Sequence, residues 1–353
     1  MRLKLLASAV LLLILGYVFF WHYMAGEIEE KFGIWVSQQK SKGVSIKYKD
    51  LEISGFPYRM ELSLNDLRVV KTAQDKAPIS ILSPHVMLVA FPWNINHGVI
   101  FSDGATVYIG GSRNPSLALN IGKTRASAKI DILNRKFQRA SFVMADVSWG
   151  AGESAKRSAA EEVKLHIMQP EAPDASVPFN DMELPVLMKI YLEATDVVVQ
   201  EIPVGIFGKK ADQVKIDLQF HGEEIPDFSK ESLSVWRDTG GTVDVKNISV
   251  LSGEMDLILD GEATLDQDLK PLGAFAAKIH GIDHIVTILS GHSAFQQEPG
   301  AMILQELRRM SKQDGASAGA DQRKDTLDLA ISLQGGLLFL GPIPVYELGP
   351  VID

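Results

Sequence analysis

The sequence contains no cysteine. This absence excludes disulfide bonds, thiolate zinc sites, cysteine-ligated iron–sulfur clusters and cysteine nucleophiles. Basic residues are also fewer than acidic ones, and the 35 Lys and Arg against 44 Asp and Glu give a net charge of −9. That balance disfavours nucleic-acid binding, which usually needs a basic face. The 353 residues are 46% hydrophobic, which indicates a folded protein with one large or two modest domains.

Motifs of common enzymes are missing as well. The chain has no Walker loop, no dinucleotide-binding fingerprint and no nucleophile elbow. Two groups of titratable residues come nearest to a site: His280 with Asp283, His284 and His292, and Asp256 with Asp260 and Glu262. Turn and surface positions explain the first group, and the solvated face of a strand explains the second. We therefore predict no catalytic, cofactor-binding or metal-binding residue, and a protein that is not an enzyme.

The longest hydrophobic run lies at the N-terminus, from Leu5 to Met24, without an acid, Lys or Arg. As a helix it spans about 30 Å, the thickness of a bilayer's hydrocarbon core. Arg2 and Lys4 precede the run and acidic residues follow it, which predicts a cytoplasmic N-terminus and a periplasmic remainder on a single inner-membrane anchor. A cleaved signal peptide and a buried core helix are the alternatives, although small residues are missing at a suitable cleavage position.

The helical pattern extends past the run. Ile28, Phe32, Trp35 and Val36 recur at helical spacing, which predicts an amphipathic continuation that stops at Gly43.

From Val44 onward the hydrophobic period changes from 3.6 to 2, which is typical of strands. After the first two, around Val44–Tyr48 and Leu62–Leu64, we predict strands at His85–Phe91, Thr106–Gly110, Ser116–Ile121, Ala126–Leu133, Ala140–Trp149, Lys189–Gln200, Gln213–His221, Thr242–Val250, Glu254–Leu265, Gly273–His280 and Leu327–Leu333. Consecutive short strands imply antiparallel pairing. The fold class is therefore mainly β, a β-rich α+β protein with an N-terminal transmembrane helix followed by a long curved antiparallel sheet or sandwich and a few short helices.

Helices and loops interrupt the strands in few places. We predict one helix capped by Asp227 or Ser229 and ending at Gly240, one that begins at Asp283, and one that begins at Pro299. Loops are predicted at 151–160, 169–181 and 311–324. The resulting organisation is an anchor at 1–24, an amphipathic helix at 25–43, a β-region at 44–150, a loop-rich connection at 151–181 and a second β-region with short helices at 182–353. A large loop inside one continuous sheet would give the same signal at 151–181.

Each strand has one apolar face, and few helices are available to cover these faces. The strands either close into a sandwich or barrel, or they form a curved sheet that encloses an apolar groove. A dry core and a lipid channel are lined by the same residue types, so both interpretations stay open. The predicted lining of such a groove is Val214, Ile216, Leu218, Leu257, Leu259, Leu329 and Ile331.

Several short segments, taken in order, resemble an uncharacterised family of envelope proteins found mainly in alphaproteobacteria and known only as a domain of unknown function. They are the anchor, the helix with Trp35, the turn Ser54–Arg59, the segment Phe91–His97, the stretch from Trp236 to Gly281 with its glycines, and the closing Leu340–Pro344 and Leu348–Pro350. The resemblance covers nearly the whole chain. It carries no established catalytic residue, so it implies none here.

The anchor followed by amphipathic strands also resembles, more distantly, the AsmA-like envelope proteins, whose folded-over sheets are thought to conduct phospholipid between membranes. This resemblance implies an inner-membrane-anchored protein that binds or helps to transport lipid through an apolar β-groove, with membrane lipid as its partner. The alternative is a non-enzymatic structural or regulatory envelope protein that acts through contacts with another envelope protein. Neither hypothesis involves a cofactor or nucleic acid.

Overall fold

The structure is a computed structural model that describes most of the chain. The described residues are 2–73, 76–110, 115–131, 134, 136–151, 157–170, 184–200, 210–227, 229–253, 255–281, 286, 290, 300–317, 326–341 and 343–352. They divide into two compact units: Met1–Lys136 with Phe142–Arg157, and Phe137–Ser141 with Ser158–Asp353.

The first unit begins with a single long helix, α1 (Arg2–Ser41). It contains a stretch long and apolar enough to cross a membrane, none of it buried inside the protein. The predicted continuation of the helix beyond Met24 is confirmed, and so is its end. Gly43 takes a positive φ of 76° and its N–H donates to the Lys40 carbonyl at 3.2 Å, a helix-terminating conformation that glycine adopts without steric cost.

Antiparallel strands follow α1 in the first unit, and the last of them contributes residues 137–141 to the second unit. They are β1 (Val44–Lys47), β2 (Asp50–Ser54), β3 (Met60–Ala73), β4 (Lys76–Phe91), β5 (Asn94–Ser102), β6 (Ala105–Ile109), β7 (Leu117–Ile121), β8 (Thr124–Asp131) and β9 (Lys136–Gly150). Two long strands, β3 and β4, pair with each other along most of their length; β1 and β2 pair with β3, and β5 and β6 with β4. β8 pairs with β5, and β7 with β6 and β9.

The second unit is a meander in which every strand pairs antiparallel with the next one in the sequence. Its strands are β10 (Ser158–Met168), β11 (Val186–Val198), β12 (Lys210–His221), β13 (Thr242–Ser252), β14 (Met255–Leu265), β15 (Pro271–His280), β16 (Thr326–Gln334), β17 (Leu337–Leu340) and β18 (Ile343–Glu347). The pairing runs from β10 to β18 without a crossover. The predicted mainly β fold with antiparallel pairing is confirmed.

Two helices whose bounds the structure describes are inserted between strands of this meander. Helix α2 (Lys230–Asp238) follows β12, and Ser229 caps its start by accepting a hydrogen bond from the Ser232 N–H, as predicted. Its N-terminal cap satisfies a backbone donor that the first helical turn leaves free. Helix α3 (Gly300–Ser317) follows β15 and packs against β16.

Two loop predictions are wrong in part, and a third helix falls largely outside the described residues. Residues 158–160 belong to β10 and not to a loop. The strand begins with small residues, several positions before Val163, its first large apolar side chain, so the alternation did not reveal where it starts. Residues 311–317 continue α3, because a polar segment extends a helix that its first turns have already nucleated. Of the helix predicted from Asp283, only 286 and 290 are described, and both are helical.

Candidate functional site

The seven predicted groove residues lie on one face of the second unit's sheet. In an antiparallel pair, residues directly opposite each other point to the same side. Leu257 of β14 lies opposite Val250, which lies opposite Val214 of β12. Leu259 is connected in the same way to Ile216 through Ile248 and to Leu329 through Ala277. The remaining two, Leu218 and Ile331, belong to a third row.

The same registers extend these rows across the unit. We call the resulting surface the apolar face. Its rows are Val163–Ala194–Val214–Val250–Leu257–Ile279–Leu327, then Leu165–Leu192–Ile216–Ile248–Leu259–Ala277–Leu329, then Ile167–Ile190–Leu218–Val245–Gly261–Phe275–Ile331. Every member is apolar. A bulge at β13, where the register shifts between Val245 and Ile248, keeps both of these side chains on the same face.

The opposite side of the sheet is polar, and we call it the charged face. Lys164 lies opposite Glu193, which lies opposite Lys215, and such cross-strand pairs of opposite charge stabilise a sheet modestly. The Glu193 carboxylate accepts hydrogen bonds from the Tyr191 hydroxyl at 3.0 Å and from the Gln213 amide at 3.0 Å. Partial burial and the contact with Glu193 raise the pKa of the Tyr191 phenol. The sheet is therefore amphipathic across its width.

Exposure of the apolar face changes from strand to strand. At β15 and β16 its first two rows are buried, since Leu327 and Leu329 are 0% and 7% exposed and Ala277 is 1% exposed. Phe275 and Ile331 of the third row are half-buried. Helix α3 packs against β16 at this buried end of the apolar face, and its side chains Leu304 and Leu307 are themselves buried. Across β11 to β14 most row members are half-buried, including the five predicted lining residues there, although Ala194, Val245 and Val250 are buried. The covered end is ordinary core, and the half-buried part is the candidate site.

The apolar face is bordered at one end by charged residues. Beyond Ala194 on β11 comes Asp196, which forms an ion pair with Lys210 of β12. Asp212 of β12 accepts a hydrogen bond from the Gly253 N–H at 2.7 Å. The hydrogen bond and charge of Lys210 lower the pKa of Asp196, and Asp196 in turn raises the pKa of Lys210. Since charged groups avoid apolar surroundings, this border marks where the apolar rows end on these strands.

The Asp196–Lys210 ion pair predicts an acid-dependent contribution to stability. The folded pKa of Asp196 is lowered, so the contribution is fully present above the ordinary aspartate pKa of about 4 and is lost as pH falls through the lower, folded value. Lys210→Met removes the pair. We expect the wild type to melt at a higher temperature than Lys210→Met at neutral pH, and the difference to vanish in acid. A difference independent of pH, measured by thermal unfolding, would contradict the assignment. Lys49→Met is the control. The Lys49 ammonium lies 4.0 Å from the Asp50 carboxylate, a long and exposed ion pair whose loss should change the melting temperature little at any pH.

The residues considered for metal binding or catalysis are not brought together. Asp256, Asp260 and Glu262 lie on the charged face of β14, where Asp260 and Glu262 are exposed. His280 ends β15 opposite Asp256. Within the described part of the chain, three or more metal-ligating side chains converge nowhere. Asp283, His284 and His292 lie outside the described residues.

The sequence interpretation missed the contribution of β10 and β11 to the apolar face. Val163, Leu165 and Ile167 alternate with Lys164 and His166, which is the period-2 signal used elsewhere in the chain. The signal was therefore present in the sequence. What it could not show is the register that places Leu165 opposite Leu192 and, through it, in the row of Ile216.

Comparison with known proteins gives one family. Residues 21–348 match the model of a family described as "Uncharacterized protein conserved in bacteria" (DUF2125). Among curated proteins, none matches the chain significantly. Because the family model covers both units and the last part of the apolar helix, the chain belongs to this family of bacterial proteins with a domain of unknown function.

Proposed function

We propose that the protein is held in the inner membrane by α1, with its strands in the periplasm, and that it binds or helps to transport lipid on the half-buried part of the apolar face. The observation that carries this proposal is the set of continuous apolar rows that are buried beside α3 at β16 and, among the described residues, mostly half-buried across β11 to β14. Burial of apolar surface is favourable at about 25 cal/mol per Å². An acyl chain laid along rows of half-buried Leu, Ile and Val side chains would gain this energy.

The anchor supports the membrane part of the proposal. Trp21 of α1 is 4% exposed, and its indole N–H donates to the Arg59 carbonyl at 3.2 Å. The end of the apolar run is thus packed into the first unit, and cleavage after it would remove a buried aromatic side chain. This favours an uncleaved anchor over a cleaved signal peptide. Arg2 and Lys4 before the run support a cytoplasmic N-terminus.

Photo-crosslinking in the membrane tests lipid binding with a matched pair of positions. Leu257 points to the apolar face, and its neighbour Ile258, 39% exposed, points to the charged face. We replace each in turn with the photoreactive residue p-benzoylphenylalanine in the full-length protein. Illumination followed by mass spectrometry is expected to give phospholipid adducts at position 257, at least about tenfold more than at 258, because only the apolar face offers acyl chains a favourable surface.

The result decides between the two functions. Equal or no lipid adducts at both positions would overturn the lipid proposal. Protein adducts at 258 alone would favour the second candidate, a structural or regulatory protein that binds an envelope partner through its charged face. That candidate is supported by Ile258 and Leu251, two exposed apolar side chains on that face, 39% and 42% exposed.

A further inference from the structure

Two turns of the first unit lie at the same end of its sheet. β3 begins at Met60, opposite Ala90 near the end of β4, and the next turn joins Phe91 to Asn94. The turn 55–59 that leads into β3 therefore adjoins the turn 92–93 between β4 and β5. Both turns belong to segments that stood out in the sequence, and the lipid-binding face proposed above uses neither.

These turns carry exposed aromatic side chains. Tyr58 is 74% exposed, Trp93 is 67% exposed and Phe56 is 47% exposed, and the Phe91 ring stacks on Trp93 with 5.5 Å between centroids. We call Phe56, Tyr58, Phe91 and Trp93 the aromatic end. A water-soluble surface seldom gathers several large exposed apolar side chains, whereas Tyr and Trp are enriched at the interface between membrane and water.

Contacts with α1 fix the level of the aromatic end along the membrane-spanning helix. The Tyr17 hydroxyl donates to the Pro57 carbonyl, and the Trp21 indole N–H donates to the Arg59 carbonyl at 3.2 Å. The Phe56 ring meets the Trp21 ring edge-on, 5.5 Å between centroids. Tyr17 lies seven residues before Met24, the last residue of the apolar run, which is about 10 Å along a helix. A bilayer that surrounds the whole apolar run Leu5–Met24 therefore extends past the level of the turn 55–59.

A cavity of about 440 Å³, open along one side, lies between the turn and the helix. Its lining comes from Leu13, Ile14, Tyr17 and Val18 of α1 and from Phe56, Pro57 and Tyr58 of the turn. The lining is almost entirely apolar, and the helix side of it belongs to the part of α1 that the hydrocarbon core would surround. Acyl chains are the apolar molecules present at that depth.

We propose that the aromatic end is inserted into the periplasmic interface of the bilayer, with an acyl chain of a membrane phospholipid in the cavity between α1 and the turn 55–59. The proposal rests on α1 as the proposed anchor but not on lipid binding by the apolar face. It assigns the protein a second, membrane-embedded contact besides the helix. The first unit is thus held at a fixed depth by its own turns, and one end of its sheet opens directly onto lipid.

Single introduced thiols test this proposal, because the chain has no cysteine of its own. Tyr58→Cys and Trp93→Cys are each labelled with the fluorophore NBD in the full-length protein. The labelled protein is reconstituted into vesicles of phosphatidylethanolamine and phosphatidylglycerol that contain lipid with a nitroxide quencher near the top of the acyl chain. We expect the quencher to lower emission at both positions about twofold or more, since interfacial residues lie within reach of the upper acyl chain.

Lys49→Cys is the matched control in the same unit. Its side chain is 70% exposed, and its neighbour Tyr48 packs against Phe32 of α1 at 5.9 Å between ring centroids. Phe32 lies eight residues beyond Met24, about 12 Å past the end of the apolar run. A label at 49 should therefore remain in water, unquenched.

Quenching at 58 and 93 no greater than at 49 would overturn the proposal. Tyr58 and Trp93 are exposed, so their replacement removes little packing, and an unchanged melting temperature verifies that each variant is folded. If one variant melts early, the comparison with position 49 is made at the other. The outcome is distinct from that of the photo-crosslinking at Leu257. Quenching without lipid adducts at 257 supports the aromatic end and rejects lipid binding on the apolar face.

Discussion

Replacing Trp236 with alanine is expected to destabilise the second unit by about 3–5 kcal/mol, the cost typical of removing a buried Trp or Phe. Trp236 on α2 is 6% exposed and its indole N–H donates to the His221 carbonyl at 2.8 Å. The substitution therefore opens a cavity and leaves a carbonyl without its donor. Amide hydrogen exchange of β12 and β13 in the full-length protein measures the loss, as rates raised by about two orders of magnitude or more.

The neighbouring Val235 gives the control for this substitution. Its side chain is on the same helix but 62% exposed, so Val235→Ala should change exchange in these strands little. Equal effects of the two substitutions would show that Trp236 is not a packing centre of the unit.

Two glycines give an independent check on the packing of Trp236. A Cβ at Gly241 would lie 2.3 Å from the indole Cε2, and one at Gly222 would lie 2.7 Å from the indole Nε1. Gly241→Ala should therefore destabilise the wild type but cost much less in the Trp236→Ala background, where the ring is gone. A double-mutant cycle measures this coupling, and additive effects would contradict the contact.

The second large effect is expected at Gly261, which occupies the middle of the apolar face's third row. A Cβ there would lie 2.3 Å from the Ala274 carbonyl oxygen and 2.7 Å from the Phe275 Cα. Both atoms are backbone of the paired strand β15, so the strands must move apart to admit a methyl group. We expect Gly261→Ala to cost about 3 kcal/mol, the upper part of the usual range for overpacked interiors.

A strand glycine with more room serves as control. A Cβ at Gly98 of β5 would find its nearest neighbour, Leu88 Cδ1, at 3.4 Å, which is close to van der Waals contact. Hydrogen exchange of β14 and β15 in Gly261→Ala is compared with that of β4 and β5 in Gly98→Ala. An equal loss of amide protection in the two variants would reject the steric explanation, because only the Cβ at position 261 would clash with backbone atoms.

The sequence was sufficient for the elements whose signal is local. The run Leu5–Met24, the cap at Ser229 and the alternation in β14 each predicted its element, and α1, α2 and β14 follow them closely. On β14, Ile258, Asp260 and Glu262 are exposed and Met255 is buried, in agreement with the two faces expected from a period of two.

Alternation fails where an aspartate takes a left-handed conformation inside a strand. Asp196 has a φ of 50°, and Ala194 and Val197 on either side of it are both 7% exposed, although they are an odd number of positions apart. Asp66 and Asp146, each with a φ of 51°, interrupt β3 and β9 similarly. Aspartate visits this conformation more readily than most residues, but the sequence does not indicate which of its many aspartates will do so.

The candidate site was predictable in composition but not in extent. Alternation identified Leu257 and Ile216 as apolar positions on strands. Only the register shows that both belong to continuous rows, and only the packing of α3 shows which end of those rows is covered. The contact between Tyr17 and the turn at Pro57 joins residues 40 positions apart, and no local pattern encodes such a contact.

The uninterrupted order of the meander from β10 to β18 has a consequence for biogenesis. Each strand from β11 to β18 pairs with the strand that precedes it in the sequence, so the second unit can add strands one at a time in the order in which they are synthesised. Such local pairing favours fast folding and shortens the exposure of open strand edges to aggregation.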